Sequence, residues 1–325
     1  MPELRYNPLL MDWTMVAEGR QARPALGQGE CPFCPGSGKV PEHYEVLAYP
    51  NDYPPLSLDP PPPGVVGTEL YRVLPAYGRC EVLLYSPDHH ASLGGLPLAQ
   101  VRRLVDLWTE RSRDLGRDPR IKYVFIFENR GREVGVTLEH PHGQIYAYPY
   151  VPQKIRLEMA AFRRHRQETE RCLMCDINAA EMAASSRIVY EGAAMIAHIP
   201  FFTDYPFGAM IVPKAHRPAL VDLSEDEKTE LARALRAVVA GMDALYDREF
   251  PYMMAVHQRP TGDRGEEEDF HMHLEFYPPL RGAEQLKYLA SSETGAWAPC
   301  NPLAVEDTAP LLRRAIAGVG QGTAP

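Results

Sequence analysis

Short apolar runs alternate along this chain with longer stretches in which apolar residues recur at helical spacing, and one order of elements occurs twice. CEVLLY (Cys80–Tyr85) reads as a buried strand running into the turn SPDHH. Val101, Leu104, Val105 and Trp108 then share one face of a predicted amphipathic helix. Gly208–Met242 repeats the order: an apolar strand, a turn at Pro213–His216, and a helix opened by Ser224 with Glu227 three residues on, the spacing of a capping box.

The repeat extends in both directions. Cys31-x-x-Cys34, His89, the strand IKYVFIFENRG (Ile121–Gly131) and His140-x-His142 follow one another in the first half. Cys172-x-x-Cys175, His216, the strand YMMAVHQRP (Tyr252–Pro260) and His271-x-His273 follow in the second. This predicts an α+β chain of two half-domains of related topology, residues 1–152 and 153–325, each with an antiparallel sheet and a long helix. The join PQKIRLEMAAFRRHRQETER reads as a helix with a charged, solvated face, to which Glu158 is the exception.

Composition narrows the function. A formal net charge of -9 argues against a nucleic-acid partner, because phosphate neutralisation along a duplex needs a basic face. No apolar run approaches the roughly 18–20 residues that span a bilayer, and the N-terminus lacks a basic segment followed by an apolar one; a cytoplasmic protein with no membrane partner is expected. The proline-rich stretch Pro54–Gly64 cannot be helical and is expected to be a surface loop. Four of the six cysteines form the C-x-x-C pairs, which in a cytosolic chain point to metal ligation or redox chemistry.

The candidate chemistry centres on His140-Pro-His142-Gly-Gln144. Side chains alternate along a strand, so His140, His142 and Gln144 line one surface. Cys31, Cys34, His89 and His140 complete a Cys2His2 zinc set, with His90 competing for the third place and a redox dithiol at Cys31/Cys34 as the rival reading. A neutral imidazole also attacks phosphorus without first losing a proton, which suits His142. Gln144 can neither donate a proton to a leaving group nor activate water, so transfer between phosphates fits better than hydrolysis.

HPHGQ, together with RYNPLLMDW, RQARP, NDYPPL, FENRG and FYPPLRGAEQLKYLASSE, resembles the galactose-1-phosphate uridylyltransferase family of the histidine-triad superfamily, over nearly the whole chain and in order. The resemblance implies two histidine-triad-like halves packed as an intramolecular pseudo-dimer. It implies that His142 attacks the α-phosphorus of UDP-glucose, that Gln144 steadies the uridylyl intermediate, and that galactose 1-phosphate then accepts the uridylyl group. Asn129 and Thr137 match phosphate contacts, with threonine where serine is usual; Asn51 and Asp52, otherwise read as a turn, match contacts to uracil and ribose. Arg20 and Arg23 match a pair that reaches the sugar phosphate of a neighbouring subunit, which implies a homodimer. Lys287 and Glu293 match hexose-site positions, while the family's following glutamine has no counterpart in Trp297–Asn301, so sugar choice is less determined than uridylyl transfer.

For the second half two metal readings stay open. Cys172, Cys175, His216 and His271 repeat the first zinc set; alternatively, Glu158, His257, His273 and Glu275 match the family's iron site, with Glu275 in place of a histidine. A nucleotide-sugar phosphorylase or hydrolase of the same superfamily is the nearest rival function, and a zinc-ligated binding module the rival from another class.

Overall fold

The computed structural model describes residues 2–18, 31–262, 265 and 269–322. The hairpin β1 (Glu3–Asn7) and β2 (Asp12–Val16) is followed by β3 (Leu47–Pro50) and β4 (Val73–Pro75), and β4 joins β1 in a small three-stranded sheet. β5 (Arg79–Leu84), α1 (Leu98–Leu115), β6 (Tyr123–Arg130) and β7 (His142–Tyr148) form the first repeat. After α2 (Gln153–Thr169), α3 (Leu173–Ala184), β8 (Ile188–Glu191) and β9 (Met195–His198), the order returns as β10 (Met210–Pro213), α4 (Glu225–Leu245), β11 (Tyr252–His257) and β12 (His273–Tyr277). β13 (Leu280–Gly282), β14 (Gln285–Leu286), α5 (Ser291–Ala296) and α6 (Val305–Gly322) follow.

Each half contributes the antiparallel sheet expected of it, and the two join edge to edge. Among the described residues the halves share one nine-stranded antiparallel sheet, ordered β3-β5-β7-β6-β11-β12-β10-β9-β8. β6 and β11 meet at its centre, pairing from Tyr252–Arg130 to Val256–Ile126. Both strands carry apolar residues on both faces, and leaving either as an edge would expose unpaired backbone and apolar surface.

The register also fixes the repeat axis. Gln144 lies opposite Phe127, Glu275 opposite Ala255, and Phe127 faces Ala255 across the join. His140, His142 and Gln144 therefore correspond to His271, His273 and Glu275.

One face of the sheet is covered by α1 and α4, which pack together, and α6 lies on α4. Val101, Leu104, Val105 and Trp108 are fully buried there, each contributing roughly 1.5–3 kcal/mol. The predicted capping box forms: the Ser224 hydroxyl accepts from the Glu227 amide at 3.2 Å, and Glu227 accepts from the Ser224 amide at 2.8 Å. The opposite face holds a second core of Leu4, Tyr146, Ile155, Phe162, Ile196 and Phe270, built by the small sheet and α2. Pro54–Gly64 is irregular as expected, but not wholly a surface loop: Leu56 is buried in that second core, and the Ser57 amide donates to the Ala76 carbonyl at 3.0 Å.

Candidate active site and metal centres

The first cluster gathers side chains from three places. Cys31 and Cys34 sit in a tight turn closed by the Cys34 amide on the Cys31 carbonyl at 3.3 Å, His89 follows β5, and His140 precedes β7. All four donor atoms lie within 4.8 Å of one another, with Cys34 Sγ 3.5 Å from His89 Nδ1 and 3.7 Å from His140 Nδ1. A tetrahedral ion with bonds of about 2.0–2.3 Å spaces its ligands by about 3.3–3.8 Å, so the donor set fits a metal. His140 Nε2 donates to the Ser86 carbonyl at 2.8 Å, which turns the Nδ1 lone pair toward the sulfurs. Burial also holds this imidazole below its ordinary pKa, in the neutral form a ligand needs. His90 lies outside the donor group, its ring centre 4.8 Å from that of His89.

In the second half, both readings that the sequence left as alternatives are assembled, from separate residues. Cys172 caps α3 and Cys175 lies in its first turn, with sulfurs 3.4 and 3.6 Å from His271 Nδ1; His216 completes the set, and His271 Nε2 donates to the Pro213 carbonyl at 3.1 Å. Burial opposes ionisation of Cys172, but the polar contacts of its sulfur with the His216 and His271 rings outweigh it and bring the thiol down to about 5. The second group is Glu158, His257, His273 and Glu275. His257 Nδ1 lies 2.9 and 3.0 Å from the Glu158 oxygens, and His273 Nε2 lies 3.3 Å from Glu275. Burial would raise the Glu275 pKa, yet His257, His273 and Lys154 hold it well below the usual carboxylate range. One group offers sulfur and nitrogen, the other oxygen and nitrogen.

His142 opens β7 on the face away from α1 and α4. Its Nδ1 lies 2.7 Å from the His140 carbonyl; with the N–H donated there, the ring's lone pair is on Nε2. Beside it is a cavity of about 260 Å³ lined by Ser92, Asn129, Arg132, Leu138, His142 and Arg248. Thr137 lies between Val136 and Leu138, which both line that cavity. Gln144 is two residues along the same face and half-buried.

Two family models match the chain: galactose-1-phosphate uridyl transferase, N-terminal domain, over residues 1–152, and its C-terminal domain over residues 158–289. A galactose-1-phosphate uridylyltransferase of Thermotoga maritima is 43% identical over 96% of this chain and 98% of its own length. The chain belongs to the galactose-1-phosphate uridylyltransferase family. A solved structure titled uridylyltransferase superposes with a TM-score of 0.89, at 31% identity over 98% of this chain and 99% of that one. An ADP-glucose phosphorylase of Arabidopsis thaliana, solved with ADP-glucose bound, shares the fold at a TM-score of 0.74 and 23% identity, covering 96% of this chain and 99% of its own.

The remaining family positions are not all brought together. Asn51 follows β3, two strands from β7; its side-chain oxygen accepts from the Tyr53 amide at 2.8 Å, and Asp52 pairs with Lys39 at 2.9 Å, so the turn read from the residues alone exists. Lys287 is buried, 4.0 Å from Glu293 and over the Tyr205 ring, which packs on Tyr277 at 5.7 Å. Tyr277 pairs with Met253 and Met253 with Asn129, so three strand spacings, about 14 Å, separate Tyr277 from the His142 strand. Arg20 and Arg23 lie outside the described residues. Two side chains escaped the sequence reading. Phe33, between the first two cysteines, has its ring centre 6.1 Å from His140 and 5.9 Å from His142, and Tyr44 donates to the Phe33 carbonyl at 2.7 Å. Only the position of Phe33 inside C-x-x-C marked it.

Proposed function

We propose that the enzyme transfers a uridylyl group from UDP-glucose to galactose 1-phosphate through a covalent intermediate on His142. His142 Nε2 attacks the α-phosphorus, the bond to the β-phosphate oxygen breaks, and glucose 1-phosphate leaves. An oxygen of galactose 1-phosphate then attacks the same phosphorus, and the phosphorus–nitrogen bond breaks to give UDP-galactose. Both leaving groups depart as anions, so no proton shuttle is required. The observation that carries this reading is the hydrogen bond from His142 Nδ1 to the His140 carbonyl, which supports Nε2 as the nucleophile at the cavity shared with Asn129. Gln144 hydrogen-bonds the phosphoryl oxygens without moving a proton, Asn129 and Thr137 hold the phosphates, and Asn51 and Asp52 meet uracil and ribose.

Cys31, Cys34, His89 and His140 would hold zinc, as would Cys172, Cys175, His216 and His271; bound zinc supplies rigidity, ordering the segments at His140 and His271 that lead into β7 and β12. Glu158, His257, His273 and Glu275 offer the harder donors that suit iron. Residues 1–152 carry the nucleophile, and residues 153–325 carry Lys287 and Glu293 for the hexose. The separation of those residues from His142 within one chain supports a homodimer, in which a second copy brings its Lys287 and Glu293, and Arg20 and Arg23, to the site. The absence of any helix among the described residues that is long and apolar enough to cross a membrane is compatible with a cytoplasmic enzyme. The test is incubation with UDP-glucose alone: one equivalent of glucose 1-phosphate should be released and a uridylyl mass should appear on the peptide carrying His142. Turnover of ADP-glucose with inorganic phosphate, and no adduct from UDP-glucose, would instead make the chain a phosphorylase.

A further inference from the structure

Beneath the catalytic strand, on the side covered by α1 and α4, lies a polar group that the transfer reaction does not use. Tyr85 is fully buried, and its ring packs against Trp108 with centres 6.5 Å apart. Its hydroxyl donates to Glu128 Oε2 at 3.1 Å, while Tyr252, from the other half of the chain, donates to Glu128 Oε1 at 2.9 Å. Arg130 is engaged elsewhere, with Asp243 at 2.8 Å and Glu249 at 3.0 Å, so the two tyrosines are the direct hydrogen-bond partners of this carboxyl group.

Tyr85 touches the HPHGQ segment twice. Its amide donates to the Pro141 carbonyl at 3.1 Å, and a Cβ placed on Gly143 would collide with its hydroxyl. The strand passes as close to that hydroxyl as a glycine allows, and the residues flanking Gly143, His142 and Gln144, point to the opposite face. Ladder hydrogen bonds to β5 and β6 fix the register of β7 within the sheet; the tyrosine limits its height perpendicular to it.

We propose that Tyr85 and Glu128 are positioning residues for uridylyl transfer: the buried carboxyl group anchors the tyrosine hydroxyl under Gly143, and that contact seats His142 and Gln144 at the phosphorus. This rests on the reading of His142 as nucleophile. A misplacement of about 1 Å is enough to cost roughly 10²-fold in rate, so a prop under the nucleophile acts on the chemical step more than on substrate binding.

The experiment is single-turnover uridylylation by the full-length, metal-loaded enzyme with UDP-glucose alone, reading both the rate and the half-saturating concentration. Tyr85→Phe should slow the rate about tenfold with half-saturation within about twofold of wild type, whereas Tyr252→Phe, which removes the other donor to the same carboxyl group, should leave the rate within about twofold. Gly143→Ala should slow the rate by roughly 100-fold, and adding Tyr85→Phe should recover most of that loss, the Phe127 carbonyl and the Tyr85 ring carbon being left 3.1 Å from the added Cβ. Equal rate losses in the two phenylalanine variants would overturn the proposal, as would a folded double variant that shows no recovery. Wild-type enzyme that forms no adduct on His142 would overturn it together with the catalytic reading; an adduct with equal phenylalanine variants would overturn it alone.

Discussion

His142 and His273 occupy corresponding positions in the two halves and make the same hydrogen bond, Nδ1 to the carbonyl oxygen two residues back, at 2.7 and 3.0 Å. Their surroundings divide their roles. His142 faces a cavity it shares with Asn129, while His273 Nε2 lies 3.3 Å from Glu275 and 3.9 Å from Glu158. An imidazole beside an open cavity can reach phosphorus; one closed in by two carboxylates can hold a cation.

His142→Gly should therefore abolish transfer, by roughly 10⁴-fold or more, while leaving the thermal transition near that of wild type. His273→Gly should keep the uridylyl adduct and lose stability and bound metal instead. Rapid-quench adduct measurement beside melting curves for both variants checks this; comparable activity in the two would remove the distinction.

Gln144→Arg should slow both half-reactions by roughly 10²–10³, the usual cost of losing a hydrogen bond made in the transition state. Single-turnover rates with UDP-glucose, and then with galactose 1-phosphate on the preformed adduct, measure each step. Rates equal to those of wild type would mean the amide is a bystander.

Three donor sets among the described residues, built from separate side chains, would hold three metal ions per chain. Elemental analysis should find two in Cys172→Ser, with activity largely kept and the melting temperature lowered, because its site lies in the half without the proposed nucleophile. Cys31→Ser should lose one ion and activity as well, since His140 leads directly into the strand carrying His142. A Cys172→Ser protein with the full wild-type content would rule out metal on that cluster.

Burial pushes the Glu128 carboxyl up to about 7, against the opposing pull of Arg130 and the Tyr252 and Tyr85 hydroxyls. Between its ordinary value of 4.5 and about 7, the folded chain binds the extra proton, so this group's contribution is complete below that window and is lost as pH rises through it. The loss is on the order of 3 kcal/mol. Glu128→Gln does not titrate, so wild type should lose stability relative to it as pH is raised from about 5 to about 8, as read by denaturant unfolding. Parallel stability curves for the two proteins would show that the carboxyl group ionises freely.

Much of the fold was legible because it depends on local periodicity. The spacing of Val101, Leu104, Val105 and Trp108 required a helix with one buried face, and Ser224 with Glu227 marked where its counterpart begins. The repeated order of cysteines, turn histidines and His-x-His strands located both Cys2His2 sets, since ligand spacing is a chemical requirement carried by the chain itself. What periodicity could not convey was the pairing of β6 with β11, because a strand apolar on both faces does not name its neighbour. That pairing brings Glu128 to Tyr252 across the join, and β5 brings the Tyr85 hydroxyl under Gly143, contacts among residues that are far apart in the chain. It also makes Gln144 and Glu275 equivalents, so that an amide stands in one half where the other has a carboxylate within a donor group. The sequence by itself determined which side chains can ligate a metal or serve as a nucleophile, and the tertiary structure decided which histidine faces a cavity and which faces two carboxylates, because exposure and orientation depend on groups that meet only when the sheet closes.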